Sequence, residues 1–333
     1  MTQETIALNQ ERNVTLTAYT QEVGGAFWHV ARRPGILILP GGGYQYCSPR
    51  EAEPVAFAYL KAGYQVFILR YSVREHAVWP NPLDDYEQAM ELIRSKADEW
   101  NLYPEKIAVI GFSAGGHLAA AAATMSRNRP NAAILGYAVT GGGVNAYNEA
   151  APDTVSRVDR ETCPCFIFST CNDELVPVHN SVSFISALAR AGVSFESHIY
   201  NYGPHGISTG DPSVEERGGQ ISSRAPNWLS DSIGWLGDMF GEFGIGGMTE
   251  PKCKPLVGCD HEPYLSTGCT IGLLLSNPES RVLLQELTQR VEKKEVSLEA
   301  VRKLTLRGLY GFLKVPQETM EKLDSALRKI KNS

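Results

Sequence analysis

The 333-residue chain lacks a basic excess, a long apolar run and a cysteine framework. Its 31 Lys+Arg stand against 37 Asp+Glu, a net charge of −6. Phosphate-backbone binding generally needs a basic patch or stripe, so nucleic acid is not an expected partner. No stretch approaches the roughly 18 consecutive apolar residues of a membrane span. The opening Met1–Asn9 has neither the basic stretch nor the apolar core of a secretory leader, so the expectation is a cytoplasmic protein without a membrane partner. Seven cysteines are an odd number thinly spread over a long chain, which argues against a disulfide scaffold and for reduced thiols.

What is present is ordinary globular composition, 43% hydrophobic and 20% charged, enough to bury a full-sized core. Short apolar runs at Gly35–Pro40, Gln65–Tyr71, Ile107–Gly111, Ala132–Tyr137 and Cys165–Ser169 have strand length and suit a sheet covered on both faces. Between them, Glu53–Ala62, Pro82–Glu99, Gly115–Met125 and Ser181–Ala191 carry helical spacing, and Ala225–Phe240 adds a last helix able to pack back on the sheet. The alternation predicts an α/β fold with a mostly parallel central sheet flanked by crossover helices, over residues 1–245.

The glycine-dense Gly241–Gly247 and the Pro- and Cys-containing stretch after it read as a linker, 246–263. Residues 264–333 then read as a small all-α appendage with helices at Ile271–Leu275, Pro278–Glu292, Ser297–Leu313 and Pro316–Ile330. Residues 251–333 hold 14 Lys+Arg against 10 Asp+Glu, so this part is mildly basic while the rest is acidic. Solvated helix faces account for that bias, with an acidic docking partner as the alternative.

Gly111-Phe-Ser113-Ala-Gly115 matches G-x-S-x-G, a weak signal by itself. Its position strengthens it, directly after an apolar strand and directly before an alanine-rich helix. A sharp strand-to-helix turn there lifts the Ser113 hydroxyl clear of the sheet and puts the Ala114 amide at a helix N-terminus, where an oxyanion is favoured. Pro40-Gly-Gly-Gly-Tyr44 also follows a strand, and its glycines allow backbone amides to converge on one point. The second triplet, Gly141–Gly143, is read as a loop.

Ser113 requires a base and a group to orient that base. Four histidines follow the nucleophile at usable positions: His179, His198, His205 and His261. His198 lies in the alternating run Ser194–Asn201, His179 opens a helix too near the expected acid, and His261 lies beyond the linker. His205, in a tight loop after that run, is the expected base. Asp173, just past the strand Cys165–Phe168, is the expected acid, with Glu174 as the fallback.

These pieces resemble an α/β-hydrolase family, the bacterial acetyl esterases and lipases near the hormone-sensitive-lipase-like and prolyl-oligopeptidase-like branches. The resemblance spans about residues 30–240, through Pro40–Tyr44, Glu51–Phe57, Gly63-Tyr64, Leu69–Tyr71, Pro82–Asp85, Ile107–Leu118, Asp173–Pro177 and Pro204–Gly206. It implies Ser113, Asp173 and His205 as catalytic triad, and the amides of Gly42, Gly43 and Ala114 as oxyanion hole. Many relatives carry His where this chain has Pro40, and the Pro variant points to carbohydrate-type acetyl esterases.

The implied activity is serine-dependent hydrolysis of short-chain, acetyl esters on a small molecule, sugar or oligosaccharide, without a cofactor. Tyr44, Tyr46 and Trp79 are named as an aromatic sugar platform, weighed against plain core packing. Thr209–Arg224, after His205, reads as a surface loop or a flap. The alternatives are a peptidase of the prolyl-oligopeptidase-like branch, which commonly carries a propeller or cap, and a silent binding protein on the same scaffold. The series Cys253, Cys259, His261, Cys269 has C-x5-C-x-H-x7-C spacing and lacks the short pairs of zinc knuckles, so no metal site is expected. A homo-oligomer is left open.

Overall fold

A computed structural model describes residues 1–215, 220–284 and 301–332. Two compact units divide the chain, Met1–Pro255 and Leu256–Ser333.

The first unit is built on an eight-stranded sheet: β1 (Thr2–Asn9), β2 (Val14–Thr20), β3 (Arg33–Leu39), β4 (Gln65–Arg70), β5 (Leu102–Phe112), β6 (Ala132–Gly136), β7 (Cys165–Thr170) and β8 (Phe195–Tyr200). Their order is β1-β2-β4-β3-β5-β6-β7-β8. Pairing is antiparallel in β1/β2 and β2/β4 and parallel from β4 to β8. Strands β3, β6 and β7 are buried along their whole length, which is why their sequences are uninterrupted apolar runs. β1 is mostly exposed and threonine-bearing, so no such run marks it.

Five helices cover the sheet: α1 (Glu53–Lys61), α2 (Asn81–Ser95), α3 (Ser113–Met125), α4 (His179–Ala191) and α5 (Trp228–Phe240). In α2 the expected apolar stripe, Leu83, Tyr86, Ala89, Met90 and Ile93, is buried. α4 ends on Gly192 in the left-handed conformation, the usual glycine cap. α5 packs back as expected: Trp228 is fully buried, stacks on Phe168 at 4.3 Å and donates its indole N–H to the Ser208 carbonyl.

β3 is followed in sequence by β4 on one side, and β5 lies on its other side. The strand order therefore reverses at β3/β5, and the C-terminal ends of these two strands open the crevice in which α/β sheets bind ligands.

The first unit does not end at residue 245. Phe243–Gly244 pairs with Gly247–Met248, and Lys252 and Cys253 donate backbone N–H groups to the Asp238 carbonyl. Glycines placed at a tight reversal produced the linker-like composition; the unit division falls at Pro255/Leu256, inside the span 246–263.

The second unit contains α6 (Ile271–Ser276), α7 (Pro278–Leu283), α8 (Leu306–Phe312) and α9 (Gln317–Leu327). Side chains of Thr270, Asn277 and Thr305 cap the first three. Leu265, Ile271, Leu274, Leu306 and Leu327 share a core. A continuous helix over Ser297–Leu313 is not formed: residues 302–305 are turn and bridge, because Thr305 pairs with Thr270 and caps α8. The expected stretch beyond Leu284 to Glu292, and residues 297–300, lie outside the described residues. Among the described residues no helix is long and apolar enough to cross a membrane.

Candidate active site

Ser113 follows β5 immediately and opens α3, with φ +53°, a strained value for a residue bearing a side chain. Its neighbours are small because the turn leaves no room. A Cβ on Gly111 would lie 2.0 Å from the Gly115 carbonyl oxygen, and one on Gly115 would lie 2.1 Å from that of Leu39. The motif spacing thus reflects helix α3 pressed against β3 and β5.

Ser113 Oγ lies 2.9 Å from His205 Nε2, and His205 Nδ1 lies 2.7 Å from Asp173 Oδ2. The other Asp173 oxygen accepts backbone N–H groups of Leu175 (2.9 Å) and Val176 (2.8 Å). With a carboxylate at Nδ1, that nitrogen is the donor and Nε2 is left to accept from the serine. Asp173 is buried and His205 is partly exposed, so the acid is sheltered and the imidazole reaches the cleft. The three residues named from sequence come together in one hydrogen-bonded line. Glu174, the fallback acid, is exposed and lines the cleft instead.

The glycine loop after β3 is held from two sides. Tyr71 donates its hydroxyl to the Pro40 carbonyl at 2.6 Å, and the Gly41 N–H donates to Glu51 Oε2 at 2.7 Å. Gly41 is therefore committed. Among the described residues no protein acceptor engages the N–H of Gly42, Gly43 or Ala114, the last in the first turn of α3 where backbone donors are free. Gly42 (φ +128°) and Gly43 (φ +61°) adopt values costly to other residues, and a Cβ on Gly42 would meet the Tyr46 carbonyl oxygen at 2.1 Å. Gly42, Gly43 and Ser113 line one cleft of about 780 Å³, a volume suited to a small organic ligand. Tyr46, Tyr147, Asn172, Leu175 and Gln220 complete much of its wall.

The three aromatics named as a platform do not come together in the cleft. Tyr46 is exposed on the cleft, but Tyr44 is wholly buried. Tyr44 takes φ +59°, and its hydroxyl lies 2.7 Å from His117 Nδ1. Trp79 does not line the cleft; it packs edge-on against His117 at 5.5 Å. Tyr147, on the loop after Gly141–Gly143, lines the cleft in their place, and nothing in its local sequence marks it. In Thr209–Arg224, Thr209, Glu215 and Ser222 are buried and Glu215 pairs with Arg50 at 2.5 Å, while Pro212, Ser213, Gln220, Ser223 and Arg224 are exposed.

His117 is fully buried, and burial holds its pKa down at about 4. Tyr44 donates to Nδ1 while Nε2–H donates to the Pro152 carbonyl at 2.9 Å, a pattern only the neutral ring satisfies. The unfolded chain takes up this proton near pH 6.5, whereas the folded protein resists until about pH 4. Stability is thus intact above 6.5 and lost as pH falls through that window, by up to roughly 3 kcal/mol from this residue. Thermal melts between pH 7.5 and 4.5 are expected to fall more steeply for the wild type than for His117→Gln; equal slopes would show that His117 is not the cause.

Cys253 belongs to the first unit, and Cys259, His261 and Cys269 belong to the second. Among the described residues no group of three or more His, Cys, Asp or Glu side chains is arranged to hold a metal ion.

Comparison with known proteins adds an independent line. A family model described as BD-FAE matches residues 29–134. The chain is 28% identical over 208 residues to endo-1,4-beta-xylanase B of Butyrivibrio fibrisolvens, covering 53% of this chain and 33% of that protein. It is 32% identical over 200 residues to an acetylxylan esterase of Xylanibacter ruminicola, covering 53% and 41% respectively. The chain therefore spans less than half the length of these curated relatives. Among solved structures, MGS-M1, an alpha/beta hydrolase enzyme from a Medee basin deep-sea metagenome library, is 42% identical with a TM-score of 0.68. That match covers 72% of this chain and 98% of the other.

Proposed function

Since the chain belongs to the α/β-hydrolase family, we propose that it is a serine esterase acting on short-chain, acetyl esters carried by sugars or oligosaccharides. The observation that carries this reading is the line Ser113 Oγ, His205 Nε2, His205 Nδ1, Asp173 Oδ2, with contacts of 2.9 and 2.7 Å, opening on a cleft lined by unengaged backbone amides.

In this reading Ser113 Oγ attacks the ester carbonyl while His205 Nε2 takes its proton. The carbonyl oxygen becomes an oxyanion held by the amides of Gly42, Gly43 and Ala114. His205 returns the proton to the departing alcohol, leaving an acyl group on Ser113. Water, deprotonated by the same nitrogen, then releases the acid and restores the serine. Asp173 keeps the imidazole in the required tautomer and offsets the charge of the imidazolium.

The substrate side draws on two supports. The cleft wall is largely polar, with Tyr46, Asn172, Glu174 and Gln220 offering hydroxyl-recognising groups. One relative is an acetylxylan esterase. The test is a panel of acetylated oligosaccharides, p-nitrophenyl esters from acetate to octanoate, and dipeptide amides. The expected kcat/KM is highest on acetyl esters and lower by about tenfold or more at octanoate, a range that pocket fit alone can produce. Preference for octanoate, or cleavage of the amides, would overturn the substrate assignment.

A further inference from the structure

Glu51 is a buried carboxylate in the wall of the cleft, and it lies between two parts of the site. One oxygen accepts the Gly41 N–H at 2.7 Å; the other accepts the Tyr137 hydroxyl at 2.6 Å. Tyr137 is buried just after β6, also accepts the Ser208 N–H at 3.1 Å, and sets its ring edge-on to the His205 imidazole at 5.1 Å. Gly41 in turn is pressed against the nucleophile: a Cβ there would lie 2.7 Å from Glu51 Oε2 and 3.0 Å from Ser113 Cβ. A carboxylate is an unusual choice for such a place. Burial pushes its pKa up, while the hydrogen bonds from Tyr137 and Gly41 and the nearby His205 and Arg50 oppose that.

We infer that Glu51 is a positioning residue that ties the oxyanion loop to the wall behind His205, resting on the serine-esterase reading above. Its grip on Gly41 fixes the plane of the loop so that the next two amides, Gly42 and Gly43, face the reacting carbonyl. Its grip on Tyr137 fixes the ring against which the imidazole stands. The two donors require two acceptors on one side chain. A carboxyl group offers an acceptor oxygen on each side, whereas an amide replaces one of them by a donor. A carboxamide would turn its NH2 toward Gly41 N–H, donor against donor, or toward the Tyr137 oxygen, leaving the phenol hydrogen without an acceptor.

The test compares wild type, Glu51→Gln and Tyr137→Phe on p-nitrophenyl acetate over pH 5–9, with thermal melts and fluorophosphonate labelling of each. Glu51→Gln is expected to lower kcat by about 10- to 100-fold while KM changes less than about threefold, since a loop shifted by a fraction of an ångström misplaces donors that act in the transition state. A role confined to folding would lower Tm and leave kcat per folded enzyme at the wild-type value, which would overturn the inference. Should Glu51→Gln fail to fold, Tyr137→Phe decides: a several-fold loss of kcat at unchanged KM supports the inference, and wild-type kcat overturns it. A wild type that neither labels nor hydrolyses the ester removes the esterase reading and this inference together. A wild type that does both, beside a Glu51→Gln with unaltered kcat, removes only the inference.

Discussion

Ser113→Ala is expected to lower kcat/KM on p-nitrophenyl acetate by about 10⁴-fold or more, with the melting temperature little changed. The hydroxyl is the only group on that side chain able to form the acyl intermediate. The fold has little at stake, since Ser113 Oγ contributes one partly buried hydrogen bond, to His205. The strained φ of +53° belongs to the backbone turn and persists with alanine. What remains would be the contribution of the cleft and its amides alone. Near-wild-type turnover by the alanine variant would mean that the reaction does not pass through Ser113.

The second large effect is at the acid. Asp173→Asn is expected to reduce kcat by about 10⁴-fold, close to the loss at Ser113, although the substitution removes no atom from the line. The reason is directional. Oδ1 already accepts two backbone N–H groups, from Leu175 and Val176. An asparagine there must keep its oxygen toward them and turn its NH2 toward His205 Nδ1. That nitrogen then has to accept, so the ring proton moves to Nε2, the position that must take the serine proton. The variant is expected to recover activity as pH rises, because the serine alkoxide becomes accessible without the base. Kinetics from pH 6 to 10 check this, and a wild-type profile in the variant would show that Asp173 does not set the tautomer.

These residues were legible in the sequence because each follows a strand with a readable pattern, an uninterrupted apolar run for Ser113 and Asp173 and an alternating one for His205. Ile107–Gly111 announces Ser113, Cys165–Phe168 announces Asp173, and the alternating run before Asn201 announces the loop of His205. Strands buried on both faces write themselves into composition; β1, exposed and paired only at the sheet edge, does not. Tyr44 was named for the platform with core packing weighed against it, and it is core. An aromatic beside a glycine triplet fits either a ligand platform or the core, and adjacency does not separate them; the Tyr44 ring packs against Tyr71 and His117. Glu51 and Tyr137 were invisible as a pair, being 86 residues apart and joined only once β3 and β6 share a sheet. Glycine-rich composition at Gly241–Gly247 likewise cannot distinguish a linker from the tight hairpin that Phe243–Gly244 and Gly247–Met248 form.

The central claim is that Ser113, activated by His205, becomes acylated. Intact-mass and peptide analysis after reaction with a fluorophosphonate tests it most directly. A single adduct on Ser113 is predicted, absent in Ser113→Ala and formed at least about 100-fold more slowly in Asp173→Asn. A protein that hydrolyses acetyl esters yet remains unlabelled, or carries its adduct on another residue, would contradict the account.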